Sequence, residues 1–590
     1  MGAISGIVSF EPERPVDVHA LIRMHEIQRH RGQDGGRLVG GRVGFASRSL
    51  ALHGRVAAVP PMSNESATIS LAFCGELFNA ADIRRQLKTE GWTFRASSDE
   101  ESVLRAYEAW GAACLERFNG QFALAIWDAR TGALLLARDA MGIYPLHYLA
   151  TDGQLLFASE AKGVLAHPDV EARADEAAIA EWLLCGTFFD GRSLFAPVRR
   201  LQPGCTLTAT RSCCRIAKYW DLPRTSIDDD AAETRCREEL AAACEDAVKV
   251  RITPAREWGV LLSGGTDSSA LSAWAQRVAS VPVQTFSIDF PNPWQGTHVD
   301  RRYAELTAER LGTVHRSFVA DPGEYFSVLE RLAWHVEKPY GKAAATLCLL
   351  SDYLAPHARF VLSGEGMDEM LAGYVGARGL GLDDVLARAD VEYFPWAPYF
   401  ETVGRLCRDE FLAQHRPFEM WRDRLQQSLA GAPRTDPLSR SLHLYTSLFL
   451  PDLLELHDQS AFAAGVQTRY PYLDRRCVEL MVPLPPDLKF RDGETKYIFK
   501  QIVKDLVPAD VLSRRKTHLP MPRDPQSVSQ QIGLARELLL GPTARTAGYF
   551  DPVRLGRFLS RDNGRADALT VWQVSMNLIT LELVHRAYGI

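Results

Sequence analysis

Trp258–Leu262 is a short apolar run that stops at Ser263-Gly264-Gly265-Thr266-Asp267-Ser268-Ser269, and a helical pattern then runs through Ala279. A strand this short and apolar suits a parallel sheet buried on both faces, and parallel neighbours require long crossovers, usually helices. The alternation recurs, with Val283–Ile288 and Phe360–Leu362 as further candidate strands and helical stretches between them. A doubly wound α/β layer is therefore expected here. The turn also has chemistry of its own. Its glycines let the backbone approach an anion, its hydroxyls donate, and the N–H groups opening the helix favour negative charge. That describes a pyrophosphate cradle. No lysine follows in the Walker order, so transfer of the terminal phosphate is not the natural reading.

A second segment, Leu362-Ser363-Gly364-Glu365-Gly366-Met367-Asp368-Glu369, again follows an apolar run and sets small residues beside carboxylates. If it faces the first turn across a sheet crevice, Asp267 and Asp368 become two hard oxygen ligands for Mg²⁺, which bridges nucleotide phosphates through one or two carboxylates plus waters. An acidic residue after a strand is otherwise a helix cap.

At 590 residues, 46% hydrophobic and 24% charged, the chain is long enough for at least two cored domains. Before the α/β part it reads as short strands with turns, among them Val43–Ser49, Thr68–Phe73, Phe122–Asp128 and Ala133–Arg138. This predicts an antiparallel two-sheet domain. The polar, acidic stretch Thr225–Ala232 marks the change of character, and from about Leu380 onward the chain is helix-rich with proline-containing turns. A net charge of −6 offers no field for nucleic acid. No stretch reaches the roughly 18 to 20 apolar residues of a spanning helix, so the expected place is the cytoplasm, with no membrane partner. The eleven cysteines contain no CxxC pair, which argues against a thiolate metal site.

Taken together, these segments resemble the asparagine synthetase and β-lactam synthetase family over nearly the whole chain. Ser263–Ser269 is similar to its pyrophosphatase-type loop, while Gly465–Asp474, Asp492-Gly493-Glu494-Thr495-Lys496-Tyr497 and Arg515-Lys516 are similar to its synthetase signatures. His30–Gly35, Arg138–Gly142 and Ala158–Lys162 are similar to its class II glutamine amidotransferase domain. The resemblance implies an Ntn-hydrolase-like αββα domain over residues 1–212, a linker over 213–235 and an adenylating synthetase domain over 236–590. It also implies that ATP and Mg²⁺ are used, with Leu262, Ser263, Gly264, Gly265, Asp267, Ser268, Ser269, Ile288 and Gly364 around the nucleotide. Lys496 would meet charge developing on the phosphate or acyl centre. Glu365 would orient or deprotonate the amine. Glu455 falls where β-lactam synthetases carry a glutamate, and a Glu365–Glu455 pair would raise one carboxyl by mutual repulsion. An ordinary helical surface glutamate is at least as good a reading of Glu455.

The first domain departs from the family. Working class II glutaminases begin with cysteine, whereas this chain reads Met1-Gly2-Ala3. Cys74-Gly75 replaces the family's Asn-Gly, whose amide stabilises the oxyanion. Arg48 and Asp99 stand where the glutamine carboxylate and amine would bind. Loss of glutaminase chemistry is thus expected, and the family branches sharing that loss form amides within one molecule. The favoured reading is macrolactam closure on a lasso-type peptide, whose partners would be a precursor peptide and its protease. The alternatives are a β-lactam synthetase-like cyclase, an ammonia-dependent asparagine synthetase, in which Gln467 would replace the glutamate of the acyl pocket, and a silent nucleotide-binding scaffold.

Overall fold

The computed structural model describes residues 2–11, 13–49, 61–225, 232–252, 257–291, 298–341, 343–374, 397–514, 519–522, 524–560 and 568–590. The motif pair Arg515-Lys516 lies outside them. The chain divides into two compact units, Met1–Arg173 with Asp190–Asp221, and Ala174–Phe189 with Leu222–Ile590.

The first unit holds two six-stranded sheets. One runs Arg199–Arg200, His147–Thr151, Gln154–Ala158, Gly2–Ser9, Val43–Ser49, Asp34–Gly40, and all its pairs are antiparallel. The other runs Cys214–Lys218, Cys205–Ala209, Ala133–Arg138, Gly120–Asp128, Ile69–Leu77, Met62–Ser63, also antiparallel throughout. Gly2–Ser9 and Val43–Ser49 pack against Ile69–Leu77, with Val18–Glu26 covering the first sheet and Asp99–Trp110 the second. Lying between a helix layer and the facing sheet, Gly2–Ser9 and Ile69–Leu77 are buried at every residue. This is the expected αββα sandwich.

Buried polar harnesses tie its loops. Glu160, fully enclosed, meets Lys162 at 2.8 Å, His30 at 3.0 Å and Arg31 at 3.1 Å. Burial works against its charge, but His30, Lys162 and Arg31 hold the carboxyl well below its ordinary range. Arg138 donates to the carbonyls of Tyr144, Leu201 and Gly142 at 2.7 to 2.8 Å. Asp139 accepts from the N–H groups of Phe122, Met141, Ile143 and Tyr144.

The boundary differs from the one expected. Cys214–Lys218 is a strand paired with Cys205–Ala209 inside the stretch read as a linker, and the helix Ala232–Lys249 begins before that stretch ends. In addition, Ala174–Phe189, carrying the helix Glu176–Cys185, groups with the second unit. Neither shift is visible in composition, because an edge strand such as Cys214–Lys218, exposed at every residue, carries no apolar pattern.

The second unit is built on a five-stranded parallel sheet ordered Val314–Val319, Gln284–Asp289, Trp258–Leu261, Phe360–Leu362, Gln467–Arg469. In chain order the strands stand 3-2-1-4-5, so the winding direction reverses between Trp258–Leu261 and Phe360–Leu362. A crevice opens beyond the carboxyl ends of the two strands at such a reversal. Most of the described chain after the sheet is helical, as expected. One long run joins Pro437–Leu444 and Leu450–Phe462 through a π turn at Tyr445–Phe449. Pro451, at the start of the latter helix, lacks the N–H that regular helix bonding would need. No described helix is long and apolar enough to cross a membrane.

Asp474 fastens the last strand. It is fully buried, receives Arg251 at 2.7 Å and Arg476 at 2.9 Å, and caps the helix Arg475–Met481. Arg469, whose guanidinium lies 3.5 Å from the centre of the Phe360 ring, donates to the Arg251 carbonyl. Burial opposes the charge on Asp474, yet Arg251 and Arg476 hold the carboxyl far below its ordinary range. A depressed carboxyl stabilises the fold above its unfolded pKa of about 4, and this contribution drains away as pH falls toward the folded value. Asp474→Ala, which strands Arg251 in the interior, should cost about 3–5 kcal/mol. The loss is to be read in thermal unfolding of both proteins, with the gap between them narrowing below about pH 4.

Candidate active site

The two glycine turns lie at the reversal point of the sheet and meet. A Cβ on Gly364 would stand 3.3 Å from Asp267 Cβ and 3.4 Å from the Ser268 nitrogen. In the first turn, Ser268 Oγ accepts from the Ser263 N–H and donates to the Gly265 carbonyl, each at 3.2 Å. The Ser268 hydroxyl is thereby fixed in the first turn of the 13-residue helix Thr266–Val278, whose first N–H groups have no partner within the helix. Arg514 clamps the outer side, donating to the Gly264 carbonyl at 2.7 Å and pairing with Asp300.

Lys496 arrives from a third element. Phe490–Arg491 and Glu494–Thr495 form a hairpin whose two loop residues, Asp492 (φ 51) and Gly493 (φ 82), have the left-handed backbone of a tight Asp-Gly turn. The hairpin ends on Lys496, itself left-handed at φ 56 and ψ 36. A non-glycine residue in that region costs about 1–3 kcal/mol, and such outliers gather at functional sites. Its Nζ lies 2.5 Å from Asp267 Oδ2 and 2.6 Å from Asp368 Oδ1, all three side chains being largely enclosed. Gly373 leaves the space, since a Cβ there would fall 1.8 Å from Asp368 Oδ1 and 2.4 Å from Lys496 Cε.

A cavity of about 390 Å³ opens along these groups, within the usual range for a small-molecule site. Leu262, Ser263, Gly265, Asp267, Ser268, Ile288, Gly364, Glu365, Asp368 and Lys496 line it. Gly264 and Ser269 do not. Gly264 forms the turn behind the lining residues, and Ser269 is buried with its hydroxyl 3.2 Å from that of Thr307. The donors suit a nucleotide's phosphates. Asp267 and Asp368 have the hard oxygens Mg²⁺ prefers, and a metal there would share them with the Lys496 ammonium.

Glu455 lies on Leu450–Phe462, is 3% exposed rather than a surface residue, pairs with Lys338 at 3.6 Å and is absent from the cavity wall. The second glutamate facing the cavity is Glu369, 2% exposed, whose Oε1 accepts from the Tyr374 hydroxyl at 2.6 Å. Burial, Asp368 and Glu365 push its carboxyl up to about 7. Glu365 instead faces His457, with Nδ1 3.8 Å from Oε1. Burial lowers the His457 imidazole to about 4, so it is neutral near pH 7. Tyr445, Phe449, Leu453 and His457 all line the cavity at spacings of four. Gln467 is buried within its strand and does not reach the wall.

In the first unit, the residues corresponding to glutaminase chemistry are packed away. Gly2 pairs with Ser49 in the sheet, and a Cβ on it would fall 1.7 Å from the Arg48 carbonyl oxygen. Cys74 is 2% exposed with its sulfur 3.6 Å from Ser159 Oγ, and burial pushes its thiol up, away from the reactive thiolate. Arg48 donates to the His25 carbonyl at 3.1 Å and pairs with Glu26 at 2.7 Å. Asp99 accepts the Leu77 N–H at 3.0 Å.

Comparison with known proteins gives two family matches. A model described as "Asparagine synthase" covers residues 239–586, and one described as "Glutamine amidotransferase domain" covers residues 1–220. Asparagine synthetase (glutamine-hydrolyzing) 3 of Bacillus subtilis is 29% identical over 555 residues, spanning 89% of this chain and 88% of that protein. Asparagine synthetase (glutamine-hydrolyzing) 1 of the same organism is 28% identical over 545 residues, spanning 86% and 84%.

Two outcomes follow from the close approaches. Gly373→Ala should displace Asp368 and Lys496, weaken binding of a non-hydrolysable ATP analogue about 10- to 100-fold by calorimetry, and lower stability by about 1–3 kcal/mol through overpacking. Gly2→Cys should release no ammonia from glutamine above background, and should lower stability by about 1–3 kcal/mol through overpacking.

Proposed function

The chain belongs to the asparagine synthase family, and on that premise we propose that this ATP-dependent amide-forming ligase activates a carboxylate as its adenylate, releases pyrophosphate and passes the acyl group to an amine of the same molecule. The observation carrying the proposal is the contact of Lys496 with both Asp267 and Asp368 at the reversal point of the sheet. A lysine held between two carboxylates, beside a turn of N–H and hydroxyl donors, suits charge that grows on the α-phosphate and its leaving group. Ser263, Ser268 and the first N–H groups of Thr266–Val278 hold the phosphates, and the Gly264 clamp by Arg514 keeps that turn in place. When bound, Mg²⁺ would be held by Asp267 and Asp368 and would neutralise the departing pyrophosphate. Glu365 orients the attacking nitrogen, with neutral His457 behind it. Glu455 has no part in this account.

The nitrogen source is argued from the first unit. With Gly2 hemmed in by the Arg48 carbonyl and Cys74 enclosed, glutamine is not its donor. A tethered amine needs none and enjoys a high effective concentration, which favours ring closure on a lasso-type peptide, the product of a precursor peptide and its protease. The names of the relatives favour a second reading, an ammonia-dependent asparagine synthetase.

The test is release of AMP and pyrophosphate from a panel comprising aspartate with ammonia, aspartate with glutamine, and linear peptides having a free N-terminal amine and an internal Asp or Glu. Peptides should be turned over with loss of one water from their mass, and glutamine should give nothing. Release of ADP in place of AMP, or turnover only of aspartate with ammonia, would overturn the proposal.

A further inference from the structure

Beyond the phosphate turns the cavity changes character. Glu365 and Glu369 stand on one side of it, and Tyr374, Tyr445, Phe449 and Leu453 supply an apolar wall. The wall is continuous, with the rings of Tyr374 and Tyr445 5.4 Å apart and those of Tyr445 and Phe449 5.8 Å apart. It owes its shape to the π turn Tyr445–Phe449. The i to i+5 bonding of that turn keeps Tyr445 and Phe449 on one side, and Leu453 continues their line on the next helix. Tyr374 fixes one oxygen of Glu369, while Oε2 is buried with no protein partner. A buried carboxylate oxygen left unpaired is costly, so this one asks for a donor from a ligand.

The charges around the cavity narrow the choice of ligand. Among the described lining residues, each cation is already engaged: Lys496 with Asp267 and Asp368, Lys500 with Glu494, Arg514 with Asp300, and Arg301 with Glu305. Ammonia is too small to touch the aromatic wall, and an amino acid would bring an anion to two carboxylates.

We propose that Glu369, Glu365 and the wall of Tyr374, Tyr445, Phe449 and Leu453 form the subsite for the acceptor, a primary amine borne on an apolar body such as the N-terminal residues of a peptide. The ammonium donates to Glu369 Oε2 and to Glu365, and the apolar part lies along the π turn. This rests on the amide-ligase reading and adds to it the class of acceptor that the cavity takes.

The probe is glycyl-phenylalaninamide, which has the amine and the apolar body but no carboxylate. It is titrated calorimetrically into the full chain saturated with a non-hydrolysable ATP analogue. Saturable binding is expected, weakened about tenfold or more by N-acetylation of the probe, by Glu369→Gln and by Phe449→Ala. Phe449→Leu should keep most of the affinity. Affinity for the ATP analogue should be unchanged in every variant, which guards against misfolding as the cause. Absence of binding, equal binding of the acetylated probe, displacement by equimolar ammonium or aspartate, or indifference to both Glu369→Gln and Phe449→Ala would overturn the subsite. Because the probe cannot be adenylated, the result stands apart from turnover. Binding without pyrophosphate release from any panel substrate sinks only the ligase reading, and turnover without probe binding sinks only the subsite.

Discussion

One ammonium between two carboxylates organises the second unit. Asp267 and Asp368 come from turns on different strands, and their like charges would drive those turns apart across an enclosed crevice. Lys496, at 2.5 and 2.6 Å, reverses the sign of that interaction. At an effective dielectric near 20, each attraction is of the order of several kcal/mol before desolvation, enough to set the geometry though not to be counted as net stability. The left-handed backbone at Lys496, the tight hairpin before it and the empty space at Gly373 are all conditions for placing that one nitrogen.

Much of this was legible in the sequence, and the reasons differ from residue to residue. Trp258–Leu262 and Phe360–Leu362 could be read as buried parallel strands because burial on both faces leaves no alternation, only apolar residues and glycine stops. That the turns after them meet follows from strand order, which the sequence leaves open. The surface reading of Glu455 fails because a helix pattern gives the face of a residue only when its neighbours are known. The same helix turns Leu453 and His457 to the cavity and Glu455 to Lys338. The aromatic stripe was missed because spacings of four across a π turn and a proline look like the end of one helix and the start of another.

The segments around His30, Arg138 and Glu160 bear the family likeness, and each is spent on buried hydrogen bonding: Arg138 on three carbonyls, Asp139 on four N–H groups, Glu160 on two full cations and a histidine. Such networks are expensive to break and cannot be altered one member at a time. Gly2 and Cys74 adjoin these harnesses, Arg31 donating to the Gly2 carbonyl at 3.0 Å and Cys74 lying 3.6 Å from Ser159 Oγ.

The π turn gives the second unit a simple way to change. Deleting one residue from Tyr445–Phe449 would return the run to regular helix and change which side chains of that turn face the cavity, while the helices on either side, whose extra residue the wider turn absorbs, kept nearly their orientation. The aromatic wall would be exchanged for a new set of side chains, while the strand ends and their phosphate-facing turns stayed put. Diversification could then proceed through register alone, with no alteration of the machinery that handles the nucleotide.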